Sequence, residues 1–142
     1  MLIRCWGSRG SIPVSGKEYL KYGGDTTCIE LRTKDDSIVI IDAGSGIRRL
    51  GNSLVKEKRK ELNIIFTHAH WDHILGFPFF KPLYIKDTRI NMLGASLAQE
   101  SIKQIISKTM QAPNFPVRFE DMKAEISYIG ACPDWFRIKG LS

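Results

Sequence analysis

The 142-residue chain holds three histidines, and none lies beyond position 73. Its three cysteines, Cys5, Cys28 and Cys132, are scattered and form no Cys-x-x-Cys pair. An odd set of this kind builds neither a disulfide framework nor a thiolate metal knuckle, and it suits reduced thiols in a cytoplasm. All three are expected to behave as small buried hydrophobes. No apolar run approaches the length of a membrane span, so no membrane partner is expected. The basic, Trp-containing start Met1-Leu2-Ile3-Arg4-Cys5-Trp6 lacks the apolar region of a signal peptide, so a cytoplasmic protein is expected. There is no internal repeat and no linker, so residues 1–142 read as one domain. A composition of 43% hydrophobic and 25% charged residues excludes disordered and low-complexity classes. The net charge of +6 permits an anionic substrate or nucleic acid without requiring one.

What is present reads as strands followed by alternating strands and helices. Leu2 to Trp6 is a short strand running into the loop Gly7-Ser8-Arg9-Gly10-Ser11-Ile12-Pro13. Thr26 to Arg32 and Ser37 to Ile41 form a predicted hairpin about the turn Lys34-Asp35-Asp36-Ser37. Ala43-Gly44-Ser45-Gly46 breaks the second strand. Ile47 to Lys60 is predicted helical, with Ile47, Leu50, Leu54 and Val55 on one face. Its Arg48, Arg49, Lys56, Lys58, Arg59 and Lys60 read as a solvated helix face rather than a polyanion track. Leu62 to Phe66 is another strand, and His73 to Phe80 a short helix stopped near Pro78. Arg89 to Leu93 is a strand. Ser96 and Gln99 have capping-box spacing for a helix from Leu97 to Met110, with Ile102, Ile105, Ile106 and Met110 inward. Lys123 to Ile129 and Trp135 to Ile138 complete the strands, giving an α/β or α+β layered fold.

The histidines sit together, directly after a predicted strand. Thr67-His68-Ala69-His70-Trp71-Asp72-His73 offers four potential metal ligands within six residues. Imidazole nitrogen and carboxylate oxygen suit zinc, and with less preference manganese or iron. His68 and His70 can converge on one cation if the chain turns sharply, with Asp72 and His73 facing a second beside it. Two such cations would lower the pKa of a shared water and clamp both the attacking and the leaving oxygen of a hydrolysed bond.

The pattern His68-x-His70-x-Asp72-His73 after an apolar strand resembles the signature of the metallo-β-lactamase superfamily. The likeness extends to Trp6-Gly7-Ser8-Arg9-Gly10-Ser11-Ile12-Pro13, to Tyr22-Gly23-Gly24-Asp25-Thr26-Thr27-Cys28, to Ile41-Asp42-Ala43-Gly44-Ser45-Gly46-Ile47 and to Trp71 through Phe80. These runs are similar to the phosphodiesterase-like branch that includes the tRNA 3′-processing nucleases. The resemblance implies that His68 and His70 bind one metal, and Asp72 and His73 a second. It implies that Asp72 also orients or deprotonates the attacking water, and that Asp42 braces the metal loop from behind. Two zinc ions per complete site are implied. The function it implies is hydrolysis of phosphodiester bonds, in a small molecule or nucleic acid, through a metal-bound hydroxide. Members commonly carry Asn where this chain has Asp25, which adds negative charge near the site.

Only the first part of the family pattern is here. Members continue into a second βα half with another metal-binding histidine, a bridging aspartate and a final histidine. Asp121, Asp134, Glu120, Glu125 and Cys132 have no spacing that recommends them as replacements. The expected fold is therefore the N-terminal half of an αββα sandwich, a mixed β-sheet flanked by helices, in an incomplete domain. A truncated or interrupted product is expected, with a homo-oligomer as one way to cover the sheet face such a half exposes. The alternative function is a non-catalytic metal-binding or assembly module.

Overall fold

A computed structural model describes residues 1–94 and 101–129. Six strands form one mixed sheet in sequence order: β1 (Leu2–Gly7), β2 (Cys28–Arg32), β3 (Ile38–Ile41), β4 (Glu61–Phe66), β5 (Arg89–Gly94) and β6 (Glu125–Ile129). β1, β2 and β3 pair antiparallel, as the predicted hairpin requires, while β3 to β6 run parallel. Parallel neighbours need crossover connections, and these carry α1 (Ile47–Lys56), α2 (Trp71–Ile74) and α3 (Ile102–Thr109). One face of the sheet supplies Ile38, Ile40, Leu62, Ile64, Ile90 and Met92, which pack with Ile47, Leu50 and Leu54 of α1 and Ile102 and Ile106 of α3. Each buried side chain of this size contributes about 1.5–3 kcal/mol. Across the other face runs a polar ladder, in which Ser127 Oγ donates to Asn91 Oδ1 (2.6 Å) and Asn91 Nδ2 to Asn63 Oδ1 (3.0 Å). Beside it Val39 and Leu93 are buried, Ile29, Leu31, Ile41 and Ile65 are half-buried, and Ile3 is 63% exposed.

Several predicted boundaries move. The first helix ends at Lys56, not Lys60, because Lys58 adopts a left-handed backbone (φ 58°) and Arg59 N–H returns to the Leu54 carbonyl. A single helix from Leu97 to Met110 is not formed, since Ser101 is extended and caps α3. The same Ser-x-x-Gln spacing recurs at Ser101 and Gln104, and this second copy makes the reciprocal capping box. Ser96 and Gln99 lie outside the described residues, as does the predicted strand Trp135 to Ile138. Instead of one helix over His73 to Phe80 there is the short α2 and a 3₁₀ turn, Phe77–Phe79, with Pro78 inside it. Cys28 is buried as expected, and burial raises its thiol pKa so that it stays protonated. Cys5 is instead exposed, because β1 is the edge strand; Cys132 is outside the described residues.

Candidate metal centre

Ligands of open α/β sheets collect beyond the carboxyl ends of parallel strands, and the proposed site residues lie there, after β3 and β4. Asp42 follows the last residue of β3 with a left-handed backbone (φ 61°), a conformation Asp tolerates better than most residues. The turn buries its carboxylate, which is 2% exposed, under the loop that leaves β4. A buried carboxylate requires donors. The Thr67 backbone N–H reaches Oδ1 at 2.8 Å, and the Thr67 hydroxyl lies 2.9 Å from Oδ1 and 2.8 Å from Oδ2. His73 Nδ1 lies 2.8 Å from Oδ2.

This arrangement assigns the imidazole tautomers. Asp42, as a carboxylate, only accepts, so His73 Nδ1 carries the shared proton and its Nε2 keeps a lone pair. The single Thr67 hydroxyl proton is directed to Asp42, so Thr67 Oγ1 accepts from His68 Nδ1 across 3.0 Å. His68 Nε2 is thereby also left as a lone pair. The three rings cluster: His68 and His70 centroids are 4.5 Å apart, and His68 and His73 centroids 3.9 Å. Asp72 Oδ2 lies 3.6 Å from His73 Nε2. The Ser11 backbone N–H donates to Asp72 Oδ2 at 3.0 Å. That bond holds the Asp72 carboxyl below the usual carboxylate range.

Close backbone contacts fix the loop that carries these groups. Ala43 N–H donates to the His73 carbonyl (2.7 Å) and Gly76 N–H to the Ala43 carbonyl (2.9 Å). A side chain on Gly44 would sit 2.4 Å from the Asp72 carbonyl, and one on Gly76 would sit 2.0 Å from the Gly44 carbonyl. Both positions therefore exclude a Cβ.

The structure thus brings the rings of His68, His70 and His73 together, with Asp72 against His73 and Asp42 behind His73. Imidazole nitrogen and carboxylate oxygen are donor types that suit a divalent cation. Among the described residues, no three His, Cys, Asp or Glu side chains are grouped tightly enough to hold a metal between them. Asp121 is instead paired with Arg118 (2.9 Å), and Glu125 lies 3.8 Å from Arg89. Asp134 and Cys132 are outside the described residues. The charge added by Asp25 is engaged locally, by the Ser45 hydroxyl (2.8 Å) and by Arg49 (3.7 Å). Sequence reasoning missed two contributors. Thr67 stood next to His68 in the motif, so its hydroxyl was a visible signal. Ser11 acts through its backbone N–H, which residue identity does not announce.

The metallo-beta-lactamase superfamily model matches residues 22–139. The chain belongs to that superfamily. Among curated relatives, ribonuclease Z of Metallosphaera sedula is 31% identical over 87 residues, covering 57% of this chain and 29% of the relative. Ribonuclease Z of Sulfurisphaera tokodaii is 29% identical over 102 residues, covering 66% and 34%. A crystal structure described as a new diphosphatase from the PhnP family aligns with TM-score 0.57 and 18% identity, over 89% of this chain and 50% of that one. That likeness supports the metallo-β-lactamase fold for the sheet and its helices. The chain spans about a third of the length of the ribonuclease Z relatives it matches. No helix among the described residues is long and apolar enough to cross a membrane.

Proposed function

We propose that this superfamily member, in its complete form, is a metal-dependent hydrolase of phosphodiester bonds, and that His68, His70, Asp72 and His73 are its metal ligands. The observation that carries the reading is the bonding around Asp42, which directly leaves Nε2 of His73 free 3.6 Å from Asp72 and, through Thr67, leaves that of His68 free as well. Imidazole and carboxylate donors favour zinc, with manganese or iron as alternatives. Once bound, a pair of such cations would supply charge to offset a phosphate and to acidify water. Asp42 and Thr67 keep the imidazoles oriented. Asp72, held by Ser11, orients the attacking water and takes its proton. The relatives named ribonuclease Z favour a phosphodiester substrate. The free thiols of Cys5 and Cys28 suit a reducing cytoplasm.

The second reading is a metal-binding module without turnover, favoured by the lack of three closely grouped donors among the described residues. Metal titration, combined with hydrolysis of bis(p-nitrophenyl) phosphate, separates the two. Two bound metals and turnover lost in Asp72→Ala support the hydrolase. One weakly held metal and no turnover select the module. The expected second copy over the open sheet face is tested by sedimentation of the same sample.

A further inference from the structure

A cavity of about 480 Å³ opens beside Asp72, between the loop after β1 and the loop around Lys17–Tyr19. Its walls include Ser8, Arg9, Ser11, Glu18, Tyr19 and Tyr22. The volume lies within the range of about 300–1,000 Å³ typical of small-ligand pockets. Ser11 joins the cavity to Asp72, since it both lines the cavity and bonds that carboxylate at 3.0 Å.

Its chemistry is uncommitted on both signs. Arg9 is held in place by its guanidinium stacking over Tyr19 (5.1 Å) and by Nε donating to the Ile12 carbonyl (3.2 Å). Among the described residues neither Arg9 nor Glu18 has an ion-pair partner, although most other arginines do. A fixed guanidinium facing a cavity and free of carboxylates suits a phosphate. Tyr22 on the wall is 79% exposed, and Leu20 and Ile12 in the same two loops are 80% and 62% exposed. Exposed aromatic faces next to cationic side chains are platforms for nucleobases. A second cavity, lined by Trp71, Leu75, Phe79 and Phe115, carries no charged side chain and selects no such ligand.

We infer that the Arg9 cavity binds the nucleoside monophosphate unit on one side of the scissile bond. Arg9 with the Ser8 and Ser11 hydroxyls takes the phosphate, Glu18 accepts from ribose hydroxyls, and Tyr22 stacks on the base. Its place in the reaction rests on the hydrolase reading above, but its binding does not. The test is calorimetry on the 142-residue chain in chelator, so that no metal contributes, with adenosine 5′-monophosphate, ribose 5-phosphate and inorganic phosphate as probes. The nucleotide is expected to bind at least about ten-fold tighter than inorganic phosphate, with ribose 5-phosphate between them. Tyr22→Ala should weaken the nucleotide by about five- to ten-fold and leave inorganic phosphate unchanged. Arg9→Gln should weaken both, and Arg9→Lys should restore part of the loss, which separates charge from folding. Equal affinity for nucleotide and phosphate, or nucleotide affinity unmoved by these substitutions, overturns the inference. A short oligoribonucleotide that binds tighter and responds to the same variants assigns the unit to an RNA end; equal binding assigns a free nucleotide. Wild-type turnover of bis(p-nitrophenyl) phosphate, which has no nucleoside, reports on the hydrolase reading alone. Turnover without nucleotide preference sinks only the pocket, and preference without turnover sinks only the hydrolase.

Discussion

Asp42 accepts from three groups that would otherwise be free to reorient: the Thr67 backbone, the Thr67 hydroxyl and the His73 ring. Thr67 is the relay in this set, because its oxygen passes the orientation of Asp42 on to His68. Replacing the hydroxyl by a methyl in Thr67→Val removes a donor from a buried carboxylate and an acceptor from His68. The expected result is a 10- to 100-fold loss of metal affinity, about the range for partners of ligating histidines, and a stability loss of about 1–3 kcal/mol. Competition with a chromophoric chelator reads the first and chemical denaturation the second. Thr67→Ser keeps the hydroxyl and should recover the affinity; if Thr67→Val binds metal as wild type does, the relay has no function. The clustering of the proposed ligands, and the place of Asp42 at the end of β3, were legible in the sequence because their chemistry lies in their side chains. Ser11 was not, since what it offers Asp72 is a backbone N–H aimed by a left-handed turn (φ 72°).

At the scale of elements, the apolar pattern located the six described strands and the inward faces of α1 and α3, and all of these but the exposed edge strand β1 bury a face on the same core. It failed where local backbone chemistry decided the outcome: at the left-handed Lys58, at the repeated capping-box spacing and at Pro78. Nor does hydropathy reveal how tightly the loops after β3 and β4 are stacked. The loop from Asp42 to Gly46 is wedged against α2 with no room for a side chain at Gly76, whose added Cβ would meet the Gly44 carbonyl at 2.0 Å. Gly76→Ala must therefore push the two loops apart, and overpacking of this kind costs about 1–3 kcal/mol. Because Gly44 in turn abuts the Asp72 backbone, the same variant should weaken metal binding. Denaturant titration and the chelator competition, run together, check both; a stable variant with unchanged metal affinity would mean that the loops are not coupled.

Across the whole molecule, a chain of charges joins the antiparallel edge of the sheet to the end of α1. Buried Glu30 accepts from Trp6 Nε1 (2.8 Å) and Arg32 Nε (2.6 Å). Arg32 then grips Glu57 with both terminal nitrogens, at 2.7 and 2.9 Å, and Arg59 continues to Asp36. So the cations at Arg32 and Arg59 serve the fold. The bidentate Arg32 contact, helped by the Ser53 hydroxyl and the charge of Arg59, pulls the Glu57 carboxyl down to about 2 from the ordinary 4.5. Its pKa is lower in the folded protein, so its stabilisation is complete above about pH 4.5 and is lost as the pH falls toward 2. Partial exposure and solvent screening limit that contribution to about 1 kcal/mol. Denaturant titrations of wild type and Glu57→Gln should differ by about this amount at pH 7, and the two stability curves should converge as the pH approaches 2. A gap that persists unchanged in acid would mean that Glu57 acts through packing and not through its charge.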